Sequence, residues 1–508
     1  MDPITSLVRV VMHYRVRAIR RYATDFESIQ RKTLRRLIRQ ASGTCWGKMY
    51  GYDTIQDYAD YTARVPVSKY SSIKPYVMRM LDGEPNVLWP GQIRYFAQSS
   101  GTTCDAAKFI PVSRQGLKHC HLMGGKDVTA TFLDTHPHSH AGLGYSLVLA
   151  GVCAPVKPGS RIMVGDISSI MSRAIPGFFR RMLHLIPPAR MLRRIHEYKD
   201  RERIVPPYIA RKRLVSFSGL PGWNLPLLQK TVQMEGKENA EQLWPHMEMF
   251  AHGGYSLYPY RPILNELFPS GRLVCIENYN ASEGFFGIQT DSNDPSMMLM
   301  LDYQVFYEFI PMTEYGRADA RVLPLWEVDT DQDYAVVITT SSGLWRYEIG
   351  DVIRFVRKAP YKFIFAGRTA LTLNICGEDL SIRQADQAIG QACRSTGCIV
   401  REYTVAPNSD TYDENSFHQW LVEFEKEPDN ISEFASVLQK CMEQADYDYS
   451  KMTESNSLKP LQVIVARPGL FYDWLESKGK LGGQHKVPRF MTHDGQAQLF
   501  HLNLKNSN

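Results

Sequence analysis

Apolar positions first recur at helical spacing over residues 26–42, where Phe26, Ile29, Thr33, Leu37 and Ala41 share a face and Arg and Lys fill the gaps. Gly43 stands just beyond, where a helix can close in a left-handed turn. Residues 54–80 read as turn-rich and 114–135 as a helix. From 273 onward the pattern changes to short β-branched or aromatic runs bounded by turn residues, at 273–277, 304–310 and 334–342. Helical stretches followed by closely spaced strands predict an α/β protein. Past Arg368 the pattern shifts again. Residues 381–393 and 432–445 read as helices, and 401–407, 419–425 and 461–467 as strands. This predicts a βαβ-like module of about 140 residues. The boundary expected is therefore 1–367 for a large domain and 368–508 for a small one.

Composition narrows the class without naming a function. The 508 residues are 44% hydrophobic and 22% charged, which excludes disorder, collagen and coiled coil as the main state. The net charge is +6, but the first fifty residues carry eleven basic and three acidic side chains. Such an arm can signal nucleic acid or an anionic surface. No nucleic-acid motif accompanies it, so solvated helix faces are the favoured reading, with weak contact to an anionic surface left open. Arg9, Arg15 and Arg17 interrupt any signal-peptide core. The uncharged run 141–156 is short for a spanning helix and reads as buried strand and turn. Nine scattered cysteines without a CxxC indicate free thiols and a cytoplasmic location.

Five polar clusters carry the candidate chemistry. Ser99, Ser100, Thr102 and Thr103 surround a glycine, with Lys108 following. Hydroxyls and amides donate to phosphate oxygens and lysine supplies charge, although a polar turn between strands is equally consistent. The pattern is not a P-loop, since GxxxxGK[ST] is absent. Tyr279, Ser282 and Glu283 directly follow a strand-like run and could offer a stacking face, a phosphate donor and a magnesium ligand. Residues 344–352 contain Gly350-Asp351, either a strand end presenting a carboxylate to ribose hydroxyls or a plain β-turn. Residues 365–368, followed by 373–379, coincide with the domain boundary, as a hinge would. Residues 482–489 form a basic loop containing Lys486.

Order and separation make these clusters specific. The chain resembles the Gretchen Hagen family of acyl-acid amido synthetases, a branch of the acyl-adenylating, luciferase-like superfamily. The resemblance rests on Ser99–Ser113, Tyr279–Glu283 and Trp345–Asp351, with further matches at 66–91, 306–311 and 482–489. It covers about residues 26 to 490. It implies a large N-terminal domain of β-sheets flanked by helices and a smaller mobile C-terminal α+β domain. It also implies use of ATP and magnesium to form an acyl-adenylate, with attack by an amine, usually an amino acid, and release of AMP. By matching, Ser99, Ser100, Thr102, Thr103 and Lys108 would surround the phosphates, and Tyr279 would pack on adenine. Ser282 would contact the α-phosphate, Glu283 would hold magnesium, Asp351 the ribose, and Arg368 would lie by the nucleotide. Lys486 would be the lysine that the small domain brings to the adenylate. Two departures stand out: Asp379 replaces a hinge lysine, and Cys104-Asp105 replaces a small residue and glycine.

Alternatives from other classes remain. One keeps adenylation but passes the acyl group to coenzyme A. Another is a nucleotide-binding or membrane-surface relative without chemistry, against which Ser100, Glu283 and Asp351 together argue. The acid would bind near 114–150 and His252-Gly253-Gly254. His119-Cys120-His121 and His136, His138 and His140 could ligate zinc, but neither has a partner pair at a structural spacing.

Overall fold

The computed structural model describes residues 3–99, 108–140, 144–192, 194–195, 198–254, 256–369, 373–376, 378, 380–409, 411–479 and 486–505. Its largest sheet has twelve strands in two halves of different character. Val274–Asn280, Met249–Gly253, Leu214–Gly219, Tyr145–Val148 and Leu185–Ile186 run parallel. On its other side Val274–Asn280 pairs antiparallel with Phe285–Gln289. From there Met297–Leu299, Tyr361–Arg368, Tyr347–Lys358, Asp333–Thr340, Val305–Pro311 and Leu323–Pro324 continue antiparallel. Val274–Asn280 is thus where strand direction changes, and ligands of open α/β sheets gather beyond the carboxyl ends of strands at such points. A second, four-stranded sheet contains Tyr95–Ser99 and Lys108–Val112 as an antiparallel pair.

The helix expected at 26–42 is observed as Phe26–Ala41 and buries Thr33, Leu37 and Ala41. It also buries Gln30, whose amide donates to Leu301 O at 2.8 Å and Val305 O at 3.0 Å and accepts from Tyr307 N at 3.0 Å. This polar clamp fixes the helix on the sheet edge in one register. The turn-rich reading of 54–80 is corrected. Tyr58–Arg64 and Tyr70–Leu81 are helices, the first capped by Asp57, which accepts from Asp60 N. Pro75 lies inside the second helix, and its apolar face, Ile73, Val77, Met80 and Leu81, is buried in the main core. Tertiary burial there outweighs the local propensity for turns.

Beyond Arg368 the observed elements follow expectation. Helix Ile382–Thr396 starts at a Ser381–Gln384 capping box. Strands Ile399–Pro407 and Phe417–Lys426 are antiparallel, and Lys459–Ala466 is parallel to the latter across helix Ile431–Ala445. This three-stranded sheet has its own core around Ile389, Tyr403, Trp420 and Phe434.

Much of the basic arm is used internally. Arg15 pairs with Asp302 and, at 2.6 Å, with buried Asp127. Arg9 donates to the carbonyls of Leu133 and Pro137, and Arg20, Arg21 and Arg31 pair with Asp134, Asp25 and Glu27. Lys32, Arg35, Arg36 and Arg39 remain exposed. Among the described residues no helix is long and apolar enough to cross a membrane. The eight described cysteines are unbridged.

Candidate active site

Tyr279 stands next to the end of strand Val274–Asn280, and residues 281–284 turn tightly into Phe285–Gln289, with Ala281 N donating to Gly284 O at 2.8 Å. Ser282 and Glu283 sit in this turn, both half-buried. A wider helical turn at Leu117–His121 braces it from behind. Phe285 N donates to Cys120 Sγ at 3.1 Å, and His121 Nδ1 lies 3.3 Å from Asn280 Oδ1. Burial drives the Cys120 thiol up to about 12 and His121 down to about 4, so both are neutral. The zinc reading of His119-Cys120-His121 gives way to this brace. His136 instead stacks on Phe132, and no group of potential metal ligands forms among the described residues.

The run 344–352 divides into an anchor and a presented carboxylate. Trp345 Nε1 donates to Leu88 O at 2.9 Å, and Arg346 forms a buried pair with Glu308 at 2.9 Å. Strand Tyr347–Lys358 then does not end at Gly350-Asp351, as either sequence reading had it, but bulges there. Val337 faces Glu348 while Ala335 faces Val352, so extra residues are accommodated between them. Gly350 takes φ +90, which only glycine adopts without strain. The bulge aims buried Asp351 at two partners. The Tyr279 hydroxyl donates to Asp351 Oδ2, and Arg368 Nε lies 3.0 Å from Oδ1. The Tyr279 ring is held edge-on by Phe286, Phe363 and Phe365, with centroids 5.0, 6.0 and 6.0 Å away.

Charges converge around this pair. Burial and the Asp351 charge raise Glu283 to about 7, opposed by Arg368 and Lys108. Among the described residues no salt bridge reaches its carboxylate. Lys108, across from Ser99 in the strand pair, has its ammonium 5.8 Å from the Tyr70 ring centroid, and the Tyr70 hydroxyl accepts from Phe109 N at 2.8 Å. Lys486 arrives from the small domain, its Nζ donating to Gly254 O at 2.5 Å. Desolvation and then Arg368 lower it to about 7, Arg489 adding to this and Asp351 and Asp386 opposing it. Of the other expected site residues, Ser100, Thr102 and Thr103 lie outside the described residues, as does Asp379; Ser99 is described only through its backbone. A groove between the domains, lined by Gly222, Tyr260, Arg401, Glu425 and Tyr472 among others, holds none of the converging residues.

Sequence comparison decides the family. Three models match in order: the GH3 family N-terminal domain over 15–193, the central domain over 298–368 and the C-terminal domain over 383–494. The chain belongs to the GH3 family.

Curated GH3 relatives align over most of both chains. Indole-3-acetic acid-amido synthetase GH3.8 of Oryza sativa subsp. indica is 24% identical over 94% of this chain and 90% of its own. GH3.3 of Arabidopsis thaliana, with the same activity in its name, is 23% identical over 93% and 91%. The solved GH3.15 acyl acid amido synthetase superposes with a TM-score of 0.79 at 18% identity, covering 96% of each chain. A 2-hydroxyisobutyryl-CoA ligase carrying its acyl-adenylate has a TM-score of 0.57 at 13% identity, over 94% of this chain and 92% of that one. The fold is that of the acyl-adenylate-forming ligases, with a large sheet-rich domain and a smaller C-terminal one.

Within this GH3 chain, sequence reading missed residues that act through others. Glu308, inside an apolar strand buried throughout, is the counterion of Arg346. Its signal was a lone carboxylate in the run 304–310, where an unpaired charge would be prohibitive. Tyr70, Cys120 and Asn280 carry no comparable signal, since their contacts cross 39 to 165 positions.

Proposed function

We propose that this GH3 chain is an ATP-dependent acyl-acid amido synthetase, joining a carboxylic acid to the amine of an amino acid through an acyl-adenylate. The observation that carries the reading is convergence. Asp351, Tyr279, Arg368, Glu283, Lys108 and Lys486, from five separate stretches of one family-matched chain, meet beyond the carboxyl end of the strand where sheet direction changes. A carboxylate is a poor acyl donor. Attack of its oxygen on the α-phosphorus of ATP breaks the bond to pyrophosphate and leaves an anhydride with AMP. The acceptor amine, once deprotonated, attacks the acyl carbon and displaces AMP.

The residues divide this work. Asp351 is buried and offers acceptor oxygens suited to ribose hydroxyls. Tyr279, oriented by its bond to Asp351, lies against adenine, and Ser282 donates to the α-phosphate. Lys108, with Ser99, Ser100, Thr102 and Thr103, cradles the phosphates, and Arg368 and Lys486 meet the charge that builds during adenylation. Magnesium fits Glu283, a half-buried carboxylate without an ion-pair partner among the described residues and raised to about 7. When bound, the ion would neutralise phosphate charge. The acid enters near 114–150 and His252-Gly253-Gly254. The small domain, 368–508, rotates relative to 1–367 between half-reactions, and the enzyme works in the cytoplasm.

The test is ATP–pyrophosphate exchange over a panel of aromatic and aliphatic acids, followed by amino acids or coenzyme A with products read by mass. Exchange that needs an acid, with amide product, is expected. A thioester would transfer the reading to a CoA ligase, and no exchange with any acid would remove it.

A further inference from the structure

The segment 486–490 joins the two domains residue by residue. Lys486 donates to Gly254 O, and Val487 is buried among Leu220 and Trp223 of the large domain and Leu421 and Leu470 of the small one. Phe490 belongs to the small-domain core. Between them Arg489 is 3% exposed and surrounded by partners. Its guanidinium pairs with Glu402 and lies 3.3 Å from Asp386. It sits 4.2 Å from the centroid of the Tyr403 ring and donates to Tyr403 O at 3.0 Å. It also reaches the hydroxyl of Tyr260, on the large domain, at 3.3 Å. The backbone is pinned as well, by Val405 N to Arg489 O at 2.8 Å and Met491 N to Val405 O at 2.9 Å.

Two glycines leave room for this arrangement. A Cβ on Gly222 would stand 3.2 Å from the Tyr260 hydroxyl and 3.9 Å from Glu402. A Cβ on Gly254 would stand 2.5 Å from Lys486 Nζ and 2.8 Å from Leu220, at φ +79. An apolar cluster would hold two domains together equally well, and a buried charge with two carboxylates is a costly substitute. What the guanidinium adds is direction: its fork fixes the orientation of a segment that carries Lys486 three residues earlier.

We propose that Arg489 is a positioning residue for adenylation, with Tyr260 as its receptor on the large domain, and that it holds the Lys486 ammonium beside Asp351 and Arg368. This rests on the function proposed above. Glu402, Asp386 and Tyr403 keep Arg489 in place within the small domain. Of the contacts described for Arg489, the hydrogen bond to Tyr260 is the one that crosses to the large domain, and it breaks when the small domain turns, so it acts as a latch for one pose.

The experiment separates the half-reactions, using an acid that the wild type exchanges and its synthetic acyl-adenylate. Arg489→Met is expected to lower pyrophosphate exchange on the order of 10²-fold, the cost of misplacing a reacting group by about 1 Å. Transfer from the supplied adenylate to the amino acid should stay near wild type. Arg489→Lys should restore only part, since an ammonium lacks the fork. Tyr260→Phe, which keeps the packing if Arg489→Met fails to fold, should cost exchange about 2- to 10-fold. In a Lys486→Ala background Arg489→Met should add little, because residues acting through one another are not additive. Parallel losses in both half-reactions, or full additivity with Lys486→Ala, overturn the proposal while leaving the enzyme an adenylating one. A wild type that exchanges with no acid removes both readings.

Discussion

Asp351 and Arg368 face each other across neighbouring antiparallel strands, and their side chains form an ion pair at 3.0 Å. Directly opposed residues of opposite charge are the sheet's own way of fixing side-chain direction. Here the bulge at Gly350 turns the carboxylate so that a third strand, through the Tyr279 hydroxyl, reaches it too. One buried carboxylate therefore ties together the residues proposed to hold ribose, adenine and phosphate.

Asp351→Asn is expected to raise the KM for ATP about 10- to 10²-fold, the worth of losing one or two charge-assisted hydrogen bonds. The amide keeps the size but replaces one acceptor with a donor that faces Arg368. Steady-state exchange kinetics with varied ATP check this. An unchanged KM would place the ribose elsewhere.

Legibility in the sequence followed locality. The small domain was readable because its helices are amphipathic and its strands short and apolar; Ser381 even announces its helix by a capping box. The site motifs were readable as clusters, since Tyr279 stands next to the end of a strand and Glu283 lies in the tight turn that directly follows it. The helix at Tyr70–Leu81 was missed because Pro75 and the serines at 71 and 72 argue locally for a turn, while burial of Val77 and Met80 decides otherwise. The bulge at Gly350 was missed because it depends on the register of Asp333–Thr340, a neighbour invisible to local pattern. Arg489 was read only as part of a basic loop, since its carboxylates lie 87 and 103 positions away.

Glu308→Gln should destabilise the large domain by about 3–5 kcal/mol, because it leaves the buried Arg346 without its counterion. Arg346 also donates to Val65 O at 2.8 Å, so its loss of direction would loosen the connection between helices Tyr58–Arg64 and Tyr70–Leu81. The check is the urea midpoint followed by tryptophan fluorescence, since Trp345 adjoins the pair. The double variant Glu308→Leu with Arg346→Met should recover much of the loss. A midpoint unchanged in Glu308→Gln would contradict the assignment.

Glu283 gives a stability signature. Its carboxyl is raised from 4.5 to about 7, so between those values the folded protein holds a proton that the unfolded chain releases. Its contribution is therefore full at low pH and is lost as pH rises through about 7. Glu283→Gln removes this dependence, and its Tm relative to wild type should improve from pH 5 to pH 8. Magnesium with ATP should act oppositely, since a cation needs the ionised carboxylate: the part of its stabilisation that Glu283→Gln removes should grow from pH 6 to pH 8. Thermal denaturation at each pH tests both signs.

The same site sets the pH dependence of catalysis. Lys486, lowered from 10.5 to about 7, meets phosphate charge only as the ammonium, so kcat/KM for exchange should fall above pH 7. Glu283, raised to about 7, takes a cation only when ionised, so the rate should fall below pH 7 as well. Two limbs with nearly coincident values give a narrow maximum of reduced height, because only a fraction of the free enzyme holds both groups in the working state. Bound nucleotide and metal should separate them, the anionic phosphates raising Lys486 and the cation lowering Glu283. The profile of kcat should therefore be broader than that of kcat/KM. Lys486→Arg, always charged, should abolish the alkaline limb of kcat/KM even though its absolute rate is lower, since a planar guanidinium does not replace a compact ammonium beside Gly254. An alkaline limb that persists in Lys486→Arg assigns the titration to another group and removes Lys486 from the adenylation step.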